Sequence, residues 1–394
     1  MLKTILLDLD DTLLDNKMES FLSAYFQRLG DYMSDTYSPD RFIRELIVGS
    51  QKMLENTDPR VTLERAFADY FYPALDLNAG EVEAQIYTFY KQIFPSLIAV
   101  TGTRPSAKPV VKSLLDQGFE VVVATNPLFP RVAIEERLRW ANLAPEAIPF
   151  TLITSYETFH FTKPQPAYYA EILGQLGRKA HEVVMVGNDP GLDLDPARTL
   201  SMRVYHLSDD PCEGYPGGNL DEMLEWIEQQ VEVPDSQEIR TPQSISARLR
   251  GHAGALATMV RELSPEDWNR LPAPGEWAPV EIVCHLRDVE MEVTRPRLAA
   301  FSASEQPHLT ARDTDTWADE RDYLSQSGPQ ALKDFLDARV ALLHELEILS
   351  EDDWNRPALH SLLGPTSLLE VTGIAADHDL LHLAQIRSTL IETI

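Results

Sequence analysis

Short apolar runs and long amphipathic stretches alternate along the first part of the chain, and the texture changes near residue 235. The runs are Thr4–Leu7, Glu120–Ala124, Phe150–Ile153, Val183–Val186 and Met202–His206. Each is about as long as a buried strand and largely apolar throughout, and the intervals leave room for helices. That pattern predicts a parallel sheet covered by helices. Between residues 15 and 98 no strand-like run breaks a helical texture, which predicts an all-helical insert after the first strand.

Residues 231–241 are polar, contain Pro234 and lack periodicity, so they read as a linker, placed at 236–241. Beyond it lie four long amphipathic stretches, roughly 242–264, 278–302, 328–349 and 366–391. Their joins carry Pro272, Pro274, Gly275, Gly328, Pro329, Gly364 and Pro365. Four such helices predict an all-α four-helix bundle over 242–394. LSPEDWNR at 263–270 is echoed by LSEDDWNR at 349–356, as in a bundle built from two similar helix pairs. Trp268 and Trp354 then cap the core in equivalent places.

Charge narrows the choice of partners. Lys and Arg number 34 against 62 Asp and Glu, a net charge of −28. Such a surface repels nucleic acid and anionic lipid, and neither is expected as a partner. Two cysteines, Cys212 and Cys284, make no disulfide framework and suit a reducing cytoplasm. The opening MLKTILLDLDD is too short for a signal peptide, and no apolar run reaches about 18 residues. A cytoplasmic protein without a membrane span is the expectation.

The candidate chemistry begins where the first strand ends. ILLDLDDTLLD places Asp8 and Asp10 beyond its carboxyl end, where open parallel sheets bind ligands. Strand alternation, if it persists that far, points both side chains the same way. Two close carboxylates need a cation or a shared proton, and Mg²⁺, which prefers oxygen ligands, is the natural partner. A polar strand-end turn would show the same residues. VVVATN puts Thr125 and Asn126 at the end of a second strand, where a hydroxyl can bond a phosphate oxygen. Lys163 follows in FTKPQP, able to neutralise a carboxylate and a phosphate. VVMVGNDPGLD ends a further strand in Gly187, Asn188 and Asp189, with Asp193 beyond. Taken singly, a strand-end Thr or a loop Lys is more often structural than catalytic.

In this order the four segments resemble the haloacid dehalogenase (HAD) superfamily over about residues 1–235. The resemblance implies a Rossmann-like α/β core at 1–14 and 99–235 and a helical cap at 15–98. It implies Asp8 as nucleophile, forming a phosphoryl-enzyme, and Asp10 as the acid and then the base. Thr125 with the nearby backbone at Asn126 would hold the phosphate, and Lys163 would balance charge. Mg²⁺ would be held by Asp8, the backbone carbonyl of Asp10 and the loop of Asn188, Asp189 and Asp193. Asp10 separates phosphatases from the dehalogenases that name the superfamily, so a small phosphorylated metabolite is the implied substrate. The fourth motif often opens Gly-Asp where this chain has Gly187-Asn188, which leaves open which of the three loop residues touches the metal.

In AADHDLLHLAQIR, His378 and His382 lie one helical turn apart, a spacing that can chelate a metal. His285, in VEIVCHLRDVE, lies on an earlier helix that a bundle can bring alongside. Helix histidines bonded to Asp288, Asp377 or Asp379 would look the same. Trp277, Glu281 and His285, then His378, His382, Gln385 and Ile386, resemble the DinB-like bundle family over about 240–394. That likeness implies a divalent metal held by His285, His378 and His382. Zinc or nickel suits imidazole, and a coordination position is left for water or a thiolate. Cys284 points about 100° away from its neighbour His285 on a helix and reads as a packing residue. Two alternatives stay open: the bundle is the main active part, a metal-dependent thiol transferase or hydrolase with a regulatory HAD half, or it is a dimerisation module that makes a homodimer.

Overall fold

The computed structural model describes residues 1–76, 79–231 and 239–391. The linker expected at 236–241 lies partly outside the described residues. Its last residue, Thr241, already caps the next helix, its side chain accepting from Ser244 N. The chain forms two units. One comprises Met1–Thr57, Val61–Gln165 and Ala180–Gln237, the other Asp58–Arg60, Pro166–Lys179 and Glu238–Ile394.

The first unit is built on a six-stranded sheet. Its order is Leu152–Ile153, Glu120–Val123, Thr4–Leu7, Val183–Gly187, Arg203–Leu207 and Gly217–Gly218. Every neighbouring pair is parallel. Five strands match the apolar runs. The sixth has only two glycines to its name and offers no hydrophobic pattern to read. Ile5, Leu6, Leu7, Val121, Val122 and Val123 are fully buried. This is why the runs are apolar without alternation: helices cover both faces of a parallel sheet. Connections leave the first strand toward Glu120–Val123 on one side, and the later strands fill the other. The switch point therefore falls between Thr4–Leu7 and Val183–Gly187, where such folds open a crevice.

The insert contains helices Met18–Met33, Pro39–Glu55, Leu63–Ala74 and Ala79–Gln92 and a 3₁₀ turn at Phe94–Val100. Its two ends are clamped by an antiparallel pair, Leu14–Asp15 with Gly102–Thr103. A Cβ at Gly102 would lie 2.5 Å from Asp15 Oδ2, so a side chain there would have to displace the exposed Asp15 carboxylate. Aromatic packing seats the helices. Tyr25 meets Phe129 with ring centroids 5.4 Å apart, and Phe94 stacks on Trp140 at 5.3 Å.

The second unit carries the four long helices: Pro242–Val260, Pro279–Val289 extended through a π-turn at Glu290–Thr294 to Arg295–Ala303, Gly328–Glu347, and Leu368–Ile391. Helix Pro166–Leu176 lies against Pro242–Val260. A Cβ at Gly251 would come within 2.6 Å of Ala170 Cβ, and one at Gly174 within 2.7 Å of Ala255 Cβ. Small residues thus let these two backbones approach closely. The unit also holds a small sheet of His308–Leu309, Pro357–His360 and Gly364–Ser367, which the helical pattern did not announce. The sequence echo becomes a structural one. Ser264 with Asp267 and Ser350 with Asp353 form capping boxes on one-turn helices. Trp268 and Trp354 are both buried, each in a different apolar cluster of the bundle.

A buried charge cluster ties the bundle together. Arg339 Nε donates to Glu290 Oε1 at 2.6 Å, and its Nη1 donates to Asp379 Oδ2 at 2.7 Å and to the Leu249 carbonyl at 2.9 Å. Arg339 is 1% exposed, Glu290 2% and Asp379 5%, so water compensates little of this charge. One guanidinium reaches all four long helices. Among the described residues no helix is long and apolar enough to cross a membrane.

Arg339→Ala leaves two buried carboxylates without their cation. The expected cost is about 3–5 kcal/mol, read as a lower melting temperature for the bundle transition in calorimetry. A shift indistinguishable from that of an exposed Arg→Ala control would contradict this account of the cluster.

Candidate active site and metal centre

At the switch point of the sheet, Lys163 sits between two carboxylates. Its Nζ lies 2.7 Å from Asp8 Oδ1 and 2.6 Å from Asp193 Oδ1. All three side chains are buried, so the pairing is shielded from solvent. Two carboxylates and one ammonium leave one negative charge uncompensated. The Asp8 carboxyl is pushed up to about 7: burial is the largest cause, Lys163 opposes it, and Asp193 and Asp10 add to it. Asp8 owes its place to the first strand, whose ladder continues into Asp8 N donating to the Val186 carbonyl at 3.0 Å.

Asp193 reaches this point through a turn that the sequence did not reveal. Asp189 caps a π-turn at Pro190–Leu194, its Oδ1 accepting from Gly191 N and Leu192 N at 2.8 and 3.0 Å. The turn folds Asp193 back over the strand end, where its Oδ2 accepts from Asp189 N at 3.1 Å. A Cβ on Gly187 would lie 2.2 Å from Asp193 Oδ2. Glycine at 187 is therefore a condition for Asp193 to occupy its position.

The other expected residues divide. Asn126 Oδ1 accepts from Lys163 N at 3.3 Å, joining the second and third motifs. Thr125 is buried, and its carbonyl accepts from Thr154 Oγ1 at 2.7 Å. Asn188 Oδ1 accepts from Thr12 Oγ1 at 3.3 Å, and its carbonyl lies 3.1 Å from His206 Nε2. Since His206 Nδ1 accepts from Cys212 N at 3.0 Å, Nε2 carries the proton and donates. Asp10 lies beyond the end of the regular strand. The strand stops at Leu7, Asp11 turns with φ of 56°, and the Asp10 carboxylate goes to different partners. Its Oδ1 accepts from Asn16 Nδ2 and its Oδ2 from Arg137 Nη1, both at 2.6 Å. Thr12, Asn16, Arg137 and His206 were missed by sequence reasoning. Each is an ordinary polar residue of a helix, loop or strand, and its partners are set only when the chain is folded.

A cleft of about 270 Å³ opens beside Asn188, lined by Asp11, Lys17, Arg104, Ser208 and Asp209 among others. A larger cavity of about 530 Å³, lined by Phe26, Gly30, Ile43 and Ile47 among others, lies within the insert and holds none of these carboxylates.

In the bundle, the predicted histidines converge. His378 Nε2 lies 3.1 Å from His285 Nε2 and 3.2 Å from His382 Nε2. Among the described residues this is the one group of three or more His, Cys, Asp or Glu whose ligand atoms lie within 4.8 Å of one another. Burial holds His285 down to about 3 and His382 to about 4, with the neighbouring imidazoles adding to the effect. His378 is lowered by burial too. All three are thus neutral at pH 7, the form that offers a lone pair to a metal. Gln385 Oε1, 3.1 Å from His382 Nδ1, can only accept, so Nδ1 holds the proton and Nε2 is left free to ligate. Trp277 stacks on His382 with an interplanar angle of 7° and helps to fix its ring. Cys284 is fully buried and remote from this chemistry in character: burial pushes its thiol up to about 11.

Fold and site together define an α/β enzyme core with a helical insert, joined in one chain to a histidine-bearing bundle. The family model for haloacid dehalogenase-like hydrolases matches residues 2–200, just over half of the chain, and the chain belongs to that family of enzymes. Residues 248–386 match the DinB superfamily. A phosphoglycolate phosphatase of Rhodospirillum rubrum is 26% identical over 210 residues, covering 53% of this chain and 80% of that protein. The HAD phosphatase of Thermococcus onnurineus is similar in structure at 18% identity, over 57% of this chain and 98% of its own, with a TM-score of 0.39. YfiT of Bacillus subtilis, with its unusual four-helix bundle topology, is similar at 18% identity, over 41% of this chain and 94% of its own, with a TM-score of 0.37.

Gly187→Ala should push Asp193 away from Lys163 and destabilise the first unit. The expected cost is about 1–3 kcal/mol, the usual penalty for overpacking, measured by thermal unfolding. A neutral substitution would show that the loop yields without cost.

Proposed function

We propose that this enzyme hydrolyses a small phosphorylated metabolite through an aspartyl-phosphate on Asp8. The observation that carries the reading is Lys163 held between Asp8 and Asp193 at the switch point. The similarity to a phosphatase over 210 residues supports it. In the first step an Asp8 carboxylate oxygen attacks phosphorus, the ester P–O bond breaks, and the leaving oxygen takes the proton of the Asp10 carboxyl. In the second, water attacks the phosphoryl-enzyme and gives its proton to the Asp10 carboxylate, and inorganic phosphate leaves Asp8 as it began. Lys163, Thr125 and Asn126 would hold the phosphate oxygens and stabilise spread negative charge.

The donor set at the strand ends is all oxygen and carries a net negative charge, which fits a hard divalent ion. Mg²⁺ would be held there by Asp8, the Asp10 carbonyl, Asn188 and Asp193, with Asp189 shaping the loop through its capping oxygen. Bound Mg²⁺ supplies electrostatic stabilisation of the phosphoryl group. The domain division that goes with this reading is a core at 1–14 and 99–235, a cap at 15–98, a linker at 236–241 and a bundle at 242–394. Cys212 and Cys284, both unpaired, suit a reducing cytoplasm.

A second reading concerns the bundle. The neutral imidazoles of His285, His378 and His382 favour a divalent metal site, for zinc or nickel, and a chemistry of its own such as thiol transfer or hydrolysis.

Asp8→Asn should reduce turnover of p-nitrophenyl phosphate with Mg²⁺ present to background while leaving the melting temperature near that of the wild type. Appreciable turnover by the purified variant would overturn the assignment. For the bundle, elemental analysis of the full chain should find about one transition metal per chain. The His378→Ala/His382→Ala variant should lose it, and equal metal content in both would remove the claim.

A further inference from the structure

The Asp10 carboxylate is gripped from two sides, and the grip on one side comes from a buried arginine. Arg137 lies on helix Arg131–Trp140, which follows the Thr125–Asn126 loop. It is 1% exposed, and its Nη1 donates to Asp10 Oδ2 at 2.6 Å. Among the described residues its Nε and Nη2 find no hydrogen-bond acceptor. Aromatic faces surround it instead: the guanidinium carbon lies 4.8 Å from the Phe129 ring centroid and 5.9 Å from that of Phe21. A buried guanidinium is costly to maintain, and among the described residues this one has a single carboxylate as partner. From the other side Asn16, fully buried beside the stalk strand Leu14–Asp15, donates Nδ2 to Asp10 Oδ1 at 2.6 Å.

Two donors on two oxygens fix the plane of the carboxyl group. Each oxygen accepts one hydrogen bond and keeps a further lone pair for another partner. We infer that Arg137 is a positioning residue: with Asn16 it orients Asp10 for proton transfer to the leaving oxygen and from water. The inference rests on the phosphatase reading and deepens it by naming what aims the acid. Arg137 meets the site through its ion pair with Asp10, so its effect passes through that carboxylate. The fixed geometry matters because proton transfer demands hydrogen-bond reach at the moment the ester bond breaks.

The test compares two esters of similar shape, phenyl phosphate and p-nitrophenyl phosphate, on the purified full chain with Mg²⁺. Phenol is the weaker acid, so its departure needs a proton more. Arg137→Gln should lower kcat/KM for phenyl phosphate at least about tenfold more than for p-nitrophenyl phosphate. Asp10→Asn should show the same selectivity, and the double variant should be no slower than Asp10→Asn alone. Equal losses on both esters, or multiplied losses in the double variant, would overturn the inference and leave Arg137 a structural ion pair. Should Arg137→Gln fail to fold, Arg137→Lys, which keeps the charge, carries the same comparison; failure of both to fold also counts against a positioning role. No turnover of either ester by the wild type would overturn the phosphatase reading and this inference with it.

Discussion

One buried ammonium between two buried carboxylates sets the requirements for the rest of the first unit. Lys163 can neutralise Asp8 and Asp193 together only if three loops, 155 residues apart for Lys163 and Asp8 and 30 apart for Lys163 and Asp193, end at the same point. A parallel sheet meets that condition by placing the carboxyl ends of its central strands side by side. The glycine at 187 and the π-turn after it bring Asp193 in, and the Asn126 side chain steadies the backbone of Lys163. The remaining negative charge makes the place suitable for a hard cation.

The bundle solves a similar problem with different groups. Arg339 spans its four helices through Glu290, Asp379 and the Leu249 carbonyl, so that polar contacts fix how the helices meet. Next to Asp379 on the same helix, His378 faces His285 and His382 in their neutral state. Rigid charge pairing thus stands beside an imidazole cluster whose rings are held in place by their neighbours.

Much of this was legible in the chain. Five buried strands appeared as apolar runs because a parallel sheet is covered on both faces, and the strand-end acids stood out against them. The i, i+4 histidines announced their shared face through helical geometry alone. What escaped were residues whose meaning is relational. Arg137 reads as one basic residue in an amphipathic helix, and only folding shows it buried against Asp10 and two aromatic rings. Gly217–Gly218 has no side chains to form a pattern. The partners of the Asp10 carboxylate also escaped, because the strand ends at Leu7 and Asp11 turns left-handed.

The sequence by itself determined the local order: which segments are strands, which helices carry an apolar face, and which strand ends carry polar and acidic side chains. Those properties follow from periodicity and side-chain chemistry over a few residues. Tertiary structure alone decided which of those side chains meet. Pairing Lys163 with Asp8 and Asp193, turning Asp10 to Arg137, and aiming three imidazoles at one point all depend on distances between segments far apart in the chain, and no local pattern encodes such distances.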